Sequence, residues 1–411
     1  MRSLLFLFFS IGLLSCHSDQ TSRYGSPWDQ IFDTDHDIVQ RVLFDIDRYE
    51  VQIIYTSIEH VGDSLILEPH YFNFDRDRYF YPASTVKMPA AFLALEYINE
   101  LTDQYPEIDM YSTILFDSVA APQSTMHIDT TSPTGYPNIA HFIEGVFAIS
   151  DNNAYNRLYE FLGQDYINER HQEKNIFTNS RIRTRVGIGG FDTESNKYAN
   201  PYRIIDSTGN VIHERDELYA LYEGFSPLTK TQKGRGYYDD DLDSVIYAPF
   251  EMSEKNFINL NDMQQSLIRV IYPQIYPEEE RYHLSKEQYD YLYKVMTTYP
   301  TEISYLQSDT TYYDSYVKFL MYGDSQDPIP DHIEIANKVG WAYGYLTDCA
   351  YIKDNNEGID FFLAATIHVN ENEIYNDGIY EYESIGIPFL AEVGRLVYQY
   401  ELDQKSSSTS E

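Results

Sequence analysis

Three short stretches carry residues that could do chemistry together. Ser84 and Lys87 stand three apart in "YPASTVKMPAAFLALEYINEL", Tyr81 to Leu101. Ser150-Asp151-Asn152 begins 66 residues after Ser84, and Lys338-Val339-Gly340 is the chain's only Lys-x-Gly. A serine hydroxyl at its ordinary pKa is a poor nucleophile and needs a base beside it. On a helix, residues three apart share a face, so an amine at Lys87 can reach the hydroxyl of Ser84. That amine is a base only where burial or a nearby cation lowers its pKa. Acyl transfer then asks for a second proton carrier, a cation for a substrate carboxylate and backbone N–H groups for the oxyanion.

Spacing by itself decides little. About one or two Ser-x-x-Lys pairs arise by chance in a chain of this length. Ser315 and Lys318 in "DSYVKF" form a second copy, but no Ser-Asp-Asn follows them. Taken singly, Ser84 with Lys87 is also an ordinary helix start, Ser150-Asp151 a helix cap, and Lys338 an exposed strand charge. Their joint order favours Ser84.

The elements that must position these residues follow from periodicity. Asp37 to Asp47 has helical spacing, and two strand-like runs follow, Tyr49 to Glu59 and Asp63 to Phe74, turning near Gly62. Met88 to Leu101 is apolar nearly all round, as a buried helix is. Asn138 to Leu162 reads as two helices meeting at the Ser-Asp-Asn stretch. From about Arg181 to Phe250 the helical period fades into turns and short strands, an irregular insertion. Helices resume at "LNDMQQSLIRV", with Asn261 or Asp262 as cap, and after Ser285. Ile333 to Tyr351 and Ile359 to Val369 read as paired strands, and Ile385 to Tyr400 as a closing helix. Strands near both chain ends with helices between predict an α+β fold, one sheet in a three-layer α/β/α sandwich with an inserted helical lobe. The expected domain spans 31–402, with the lobe at about 102–330, the insertion at about 181–250 and a disordered tail at 403–411.

The ordered set S-x-x-K, S-D-N and K-x-G resembles the penicillin-recognising serine hydrolases, most closely their class A β-lactamase-like branch. The likeness extends from roughly Asp37 to Tyr400, the insertion excluded. It implies a β-lactamase/transpeptidase-like fold with Ser84 as the acylated nucleophile and Lys87 as its proton acceptor. It further implies that Ser150 passes a proton to the leaving nitrogen and that Asn152 holds the substrate's amide. Lys338 would favour a carboxylate, and the third motif's Gly340 and Trp341 would line the substrate site, with the N–H groups of Ser84 and Trp341 as the oxyanion hole. The implied activity is acyl-enzyme hydrolysis of a β-lactam or related amide. Alternatives are a D-alanyl-type peptidase or other amidase or esterase, and a lipid-anchored binding or scaffold protein with little turnover.

Two departures stand out. The hydroxyl residue that usually follows the third-motif lysine is Val339 here, and losing such a contact to a charged group costs about 1.5–3 kcal/mol. No Glu-x-x-x-Asn lies between Ser150 and Lys338, so the glutamate that activates the deacylating water in class A enzymes is missing, with Glu194 a weak substitute.

Composition bounds the rest. Against 29 basic side chains stand 65 acidic ones, a net charge of −36, which repels nucleic acid and anionic membrane. Forty tyrosines are spread over core and rim. Residues 1–15 read as a signal peptide, and Leu13-Leu14-Ser15-Cys16 resembles a lipobox whose Cys16 would carry the lipid, with 16–30 as tether. The expected location is thus that of an exported bacterial lipoprotein, in the periplasm or attached to the outer membrane, reached by small amides or cell-wall peptide. Cys349 would then be the one remaining cysteine. The eleven histidines show no metal-ligand spacing and no phosphate-binding glycine loop is present, so no cofactor is implied.

Overall fold

In the computed structural model, which describes residues 27–62, 64–225, 227–306 and 309–408, the two ends of the chain build one antiparallel sheet. Its strands are β1 (Gln52–Val61), β2 (Ser64–Phe72), β3 (Ile333–Ala342), β4 (Tyr345–Asp354) and β5 (Ile359–His368), in the order β3-β4-β5-β1-β2. The run from Ile333 to Tyr351, expected as one strand, turns back at Tyr343 and Gly344, whose φ values are +55° and +83°. Two consecutive positive φ values give the tight turn whose twist suits an antiparallel pair. Lys338 thereby pairs with Cys349, on an edge strand of the sheet.

Alternation along β3 sorts its side chains. Ile333, Ile335 and Val339 enter one core with Val39 and Val42 of α2 (Asp37–Phe44) and Phe389 and Val393 of the closing helix. Ala336 enters the other core with Met263, Leu267 and Leu292. Each such Val, Leu, Ile, Phe or Met side chain contributes roughly 1.5–3 kcal/mol by leaving water. The second core is shared with α3 (Lys87–Thr102), whose residues from Ala90 to Leu95 have no exposed surface. A helix apolar on all sides must be surrounded, and α4 (Ile139–Ala148), α5 (Asn152–Leu162) and α6 (Gln164–Glu173) pack around it. Between the two halves of the sheet, these helices make up the inserted helical region. Its later helices, α7 (Leu260–Ile271) and α8 (Lys286–Thr297), cover the sheet face, and one apolar cluster runs from Leu93 through Met263 to Phe362.

Caps explain several boundaries. Asn138 Oδ1 accepts the His141 N–H at 2.8 Å to start α4, and Ser285 with Gln288 closes a capping box on α8. The α7 cap is Asn259, two residues before Asn261 and three before Asp262; its Oδ1 accepts the Asp262 N–H at 2.9 Å. Asp262 instead points inward and accepts from Thr178 N at 2.8 Å and Ser180 Oγ at 2.7 Å.

The stretch 181–250 is built of short strands stitched into the body. Tyr202–Ile205 pairs with Thr113–Phe116, and Gly236–Asp239 runs parallel to Ile374–Tyr375. Both ends differ from expectation. Trp28 is buried in α1 (Trp28–Ile31), stacked on Phe32 at 5.4 Å, so the polar tether does not reach residue 30. The closing helix α9 (Ile387–Ser408) runs six residues past the expected domain end, carried by i, i+4 bonds such as Ser406 Oγ to Leu402 O at 2.9 Å. The signal sequence, Cys16 and residues 409–411 lie outside the described residues. Among the described residues no helix is long and apolar enough to cross a membrane.

Candidate active site

The site lies where β3, the start of α3 and the α4–α5 connection meet. Ala83 to Val86 form one tight helical turn leading into α3, with Ala83 held at φ +46°. Thr85 Oγ1 donates to Pro82 O at 2.6 Å and locks that turn. Ser84 is half-buried and lines a cleft of about 560 Å³, while Lys87, the first residue of α3, is buried completely. The position that would expose a lysine on a surface helix here faces Ser150 and Asn152.

Ser150 sits at φ +56°, a strained conformation for a non-glycine residue that turns its main-chain oxygen and its hydroxyl towards the lysines. Lys87 Nζ donates to Ser150 O at 2.5 Å, to Asn152 Oδ1 at 2.6 Å and to Ser150 Oγ at 3.3 Å. Lys338 Nζ reaches the same hydroxyl at 2.8 Å and Val339 O at 2.8 Å. Two buried amines thus share one serine oxygen. Burial pushes Lys87 down to about 7, with Asp151 pulling the other way. Burial and then the neighbouring Lys87 drive Lys338 well below its ordinary range. Among the described residues neither ammonium makes an ion pair, so a shared proton can move between Lys87 and Ser150. Asp151 is occupied elsewhere: its Oδ1 caps α5 by accepting from Asn153 N at 2.7 Å and Ala154 N at 3.1 Å.

Gly340 acts through its missing side chain. A Cβ there would lie 2.5 Å from Pro82 O and 2.8 Å from Ser84 N, so the strand edge and the nucleophile turn touch backbone to backbone. Gly340 therefore sets the approach of β3 to Ser84, and a lining role falls to Trp341 and Ala342. The Trp341 ring packs against Phe319 at 5.6 Å and edge-on to Tyr316 at 6.3 Å. Val339 points into the far core and is fully buried, so it offers the cleft nothing.

Tyr312, Tyr316 and Tyr81 also line the cleft. Sequence reasoning missed them because forty tyrosines spread along the chain hide any three. Glu194 is not at the site: it is exposed, accepting from Tyr219 OH at 2.9 Å. The place beside Asn152 is taken by Val186 and Gly187. Asn156 holds Val186 by both backbone groups, accepting from its N at 2.9 Å and donating to its O at 3.0 Å. Among the described residues, Asp151 is the only carboxylate lining the cleft. The second Ser-x-x-Lys is structural. Lys318 is buried under β3 and donates to Met296 O, Ile335 O and Asn337 Oδ1 at 2.6–2.8 Å. Among the described residues no group of three or more His, Cys, Asp or Glu could hold a metal ion.

A family model described as the β-lactamase enzyme family matches residues 49–400. Among solved structures, the chromosome-encoded β-lactamase of Vibrio parahaemolyticus is similar at 13% identity and TM-score 0.47, with 88% of this chain and 97% of that chain covered. A β-lactamase from Burkholderia ambifaria gives 13%, TM-score 0.46 and the same coverage of 88% and 97%. The structure of PBP-A gives 16% and TM-score 0.47, with 89% and 96% covered. No curated protein matches the chain.

Proposed function

Because the chain belongs to the β-lactamase enzyme family, we propose that it is an acyl-transfer serine hydrolase that takes a β-lactam or related amide onto Ser84 and, for β-lactams, releases the product slowly. One observation carries this reading: the buried Lys87 amine, pushed down to about 7, bonded to Ser150 and Asn152 one helical turn from Ser84. At neutral pH a large fraction of that amine is unprotonated and able to accept a proton.

In the acylation step Ser84 Oγ bonds to the amide carbonyl carbon as its proton passes to Lys87. The C–N bond then breaks, the nitrogen takes the Ser150 proton, and Lys87 reprotonates Ser150. Lys338, beside Ser150, holds that hydroxyl in place, and an arriving substrate carboxylate would favour its protonated form. With Val339 turned away, the phenols of Tyr312 and Tyr316 are the donors that could supplement that contact. Asn152 Oδ1 is engaged by Lys87, which leaves its amide N–H groups for the substrate.

Deacylation is the weaker half. Among the described residues no carboxylate but the helix-capping Asp151 lines the cleft, so water would use the same Lys87–Ser150 relay. After a β-lactam opens, its amine stays tethered to the acyl group and crowds that relay. After a linear amide is cut, the amine departs and water can enter. The geometry therefore favours a peptidase or amidase acting on cell-wall-type peptide over a fast β-lactamase. A lipid at Cys16, part of the same proposal, would hold the site at the envelope where such peptides are.

Incubation with benzylpenicillin, followed by intact mass over time, tests the reading. A covalent adduct on Ser84 that outlasts many acylation half-times is expected, and Ser84→Ala removes it. Rapid multiple turnover would make the protein an efficient β-lactamase instead. No adduct from penicillin, peptide or ester probes would leave a binding or scaffold protein.

A further inference from the structure

The cleft that holds Ser84 continues past Asn152. A second cavity of about 360 Å³ adjoins it, and the two share Tyr81, Val186 and Gly187. They meet beside Asn152, where a Cβ on Gly187 would stand 2.1 Å from Asn152 Nδ2. An acyl arm whose amide were held by Asn152 would have the second cavity directly beside it.

Most charged groups lining that cavity are already engaged. Glu254 pairs with Arg183 at 2.7 Å, and Glu251 accepts from Ser253 N at 2.8 Å. Asp192 accepts from Ser195 N at 2.7 Å, and Arg185 donates to Glu160 at 2.9 Å. Lys255 differs. Its ammonium stands 5.1 Å from the ring centroids of both Phe250 and Tyr343, and among the described residues no acid or carbonyl lies within bonding reach of it. In a chain with 65 acidic and 29 basic side chains, a cation without an acidic partner runs against composition. Tyr343, in the turn between β3 and β4, meets Tyr81 edge-on at 5.1 Å on the border of the main cleft.

Resting on the acyl-serine reading above, we propose that this cavity is the acyl-side subsite and that Lys255 selects substrates carrying a carboxylate on the acyl arm. The two rings hold the ammonium by its positive charge while leaving its three N–H donors unspent. A carboxylate entering between them gains charge-assisted bonds at little ordering cost.

The test is a set of penicillins acylated at the 6-amino group with succinyl, glutaryl or adipoyl arms, each against a neutral alkanoyl arm of equal length. The acylation rate constant of the intact protein, read by mass, is expected to favour at least one acidic arm by about tenfold. The preference should shrink with added salt, fall to near unity in Lys255→Met and survive in Lys255→Arg. No preference at any length, or one that persists in Lys255→Met, overturns the proposal. Equilibrium binding of the same compounds to Ser84→Ala, where no bond forms, separates the two readings. If the native protein forms no adduct but Ser84→Ala still prefers acidic arms through Lys255, the acyl-enzyme reading fails and the subsite stands.

Discussion

The proton inventory of Lys87 gives the sharpest expectation. Its neutral form is the base, and its pKa lies near 7 because the helix start buries it. Acylation by benzylpenicillin should therefore rise with pH through about 7 and fall roughly tenfold per unit below it. Lys87→Arg keeps the charge but cannot deprotonate, so acylation should drop by about a thousandfold or more. A flat profile across that range would remove Lys87 from the base role. The same shift acts on stability. The unfolded chain keeps the Lys87 proton up to about 10.4, whereas the folded chain loses it near 7. Folding therefore releases a proton between those values, and this group's penalty, full below 7, is relieved as pH rises towards the upper one. Lys87→Met should melt higher than the native protein at about pH 6, with the gap narrowing by about pH 9. A constant gap would mean that Lys87 is not buried as charge. Its three acceptors explain why it stays in place despite that cost.

At the scale of elements, the site depends on β3 lying against the turn that carries Ser84. Gly340→Ala inserts a methyl 2.5 Å from Pro82 O and 2.8 Å from Ser84 N, both backbone atoms that cannot rotate away. The strand must retreat, and a shift near 1 Å at a nucleophile costs about a hundredfold in rate. Penicillin acylation of Gly340→Ala should fall by that order while the far-ultraviolet circular dichroism is retained. Unimpaired acylation would show that the contact does not position Ser84. Such contacts mark the limit of sequence reading. That Lys87, Ser150 and Lys338 would meet was legible from the order of the three motifs in the resemblance, and the structure brings them into one hydrogen-bonded group beside Ser84. The buried helix α3 was legible from its unbroken apolar run. Gly340 gave no hint that its role was backbone contact, since a glycine in a strand suggests many things. The α7 cap was misplaced because Asn259, Asn261 and Asp262 all have capping side chains, and only the burial of Asp262 against Thr178 and Ser180 separates them. Tyr312 and Tyr316 reach the cleft through a long irregular segment whose path no periodicity reveals.

For the whole molecule, the question is what keeps the insertion seated beside the site it helps to line. Lys233 ties three regions together. Its Nζ donates to Glu50 Oε2 at 2.8 Å, just ahead of β1, and to Tyr79 O at 3.0 Å, on the approach to Ser84. Tyr345 OH, at the start of β4, donates to the same Glu50 oxygen at 3.1 Å. Lys233 is buried, and removing one member of such a pair leaves the other charged and poorly solvated. Lys233→Met should cost about 3 kcal/mol, a fall of roughly 3–4 °C in Tm for a chain of this size. Glu50→Gln in the same chain should restore part of that loss, because the stranded charge is gone. The opening should be local before it is global, since 181–250 is held by short strands while α3 and the five-stranded sheet lie in continuous cores. Limited proteolysis should accordingly cut Lys233→Met faster at the exposed Asp240–Asp243 turn, leaving the sheet intact. Equal cleavage of variant and native protein there would show that Lys233 stabilises only its immediate neighbours. Faster cleavage accompanied by slower acylation would tie the insertion to the shape of the cleft, because Val186 and Gly187 of the insertion line it.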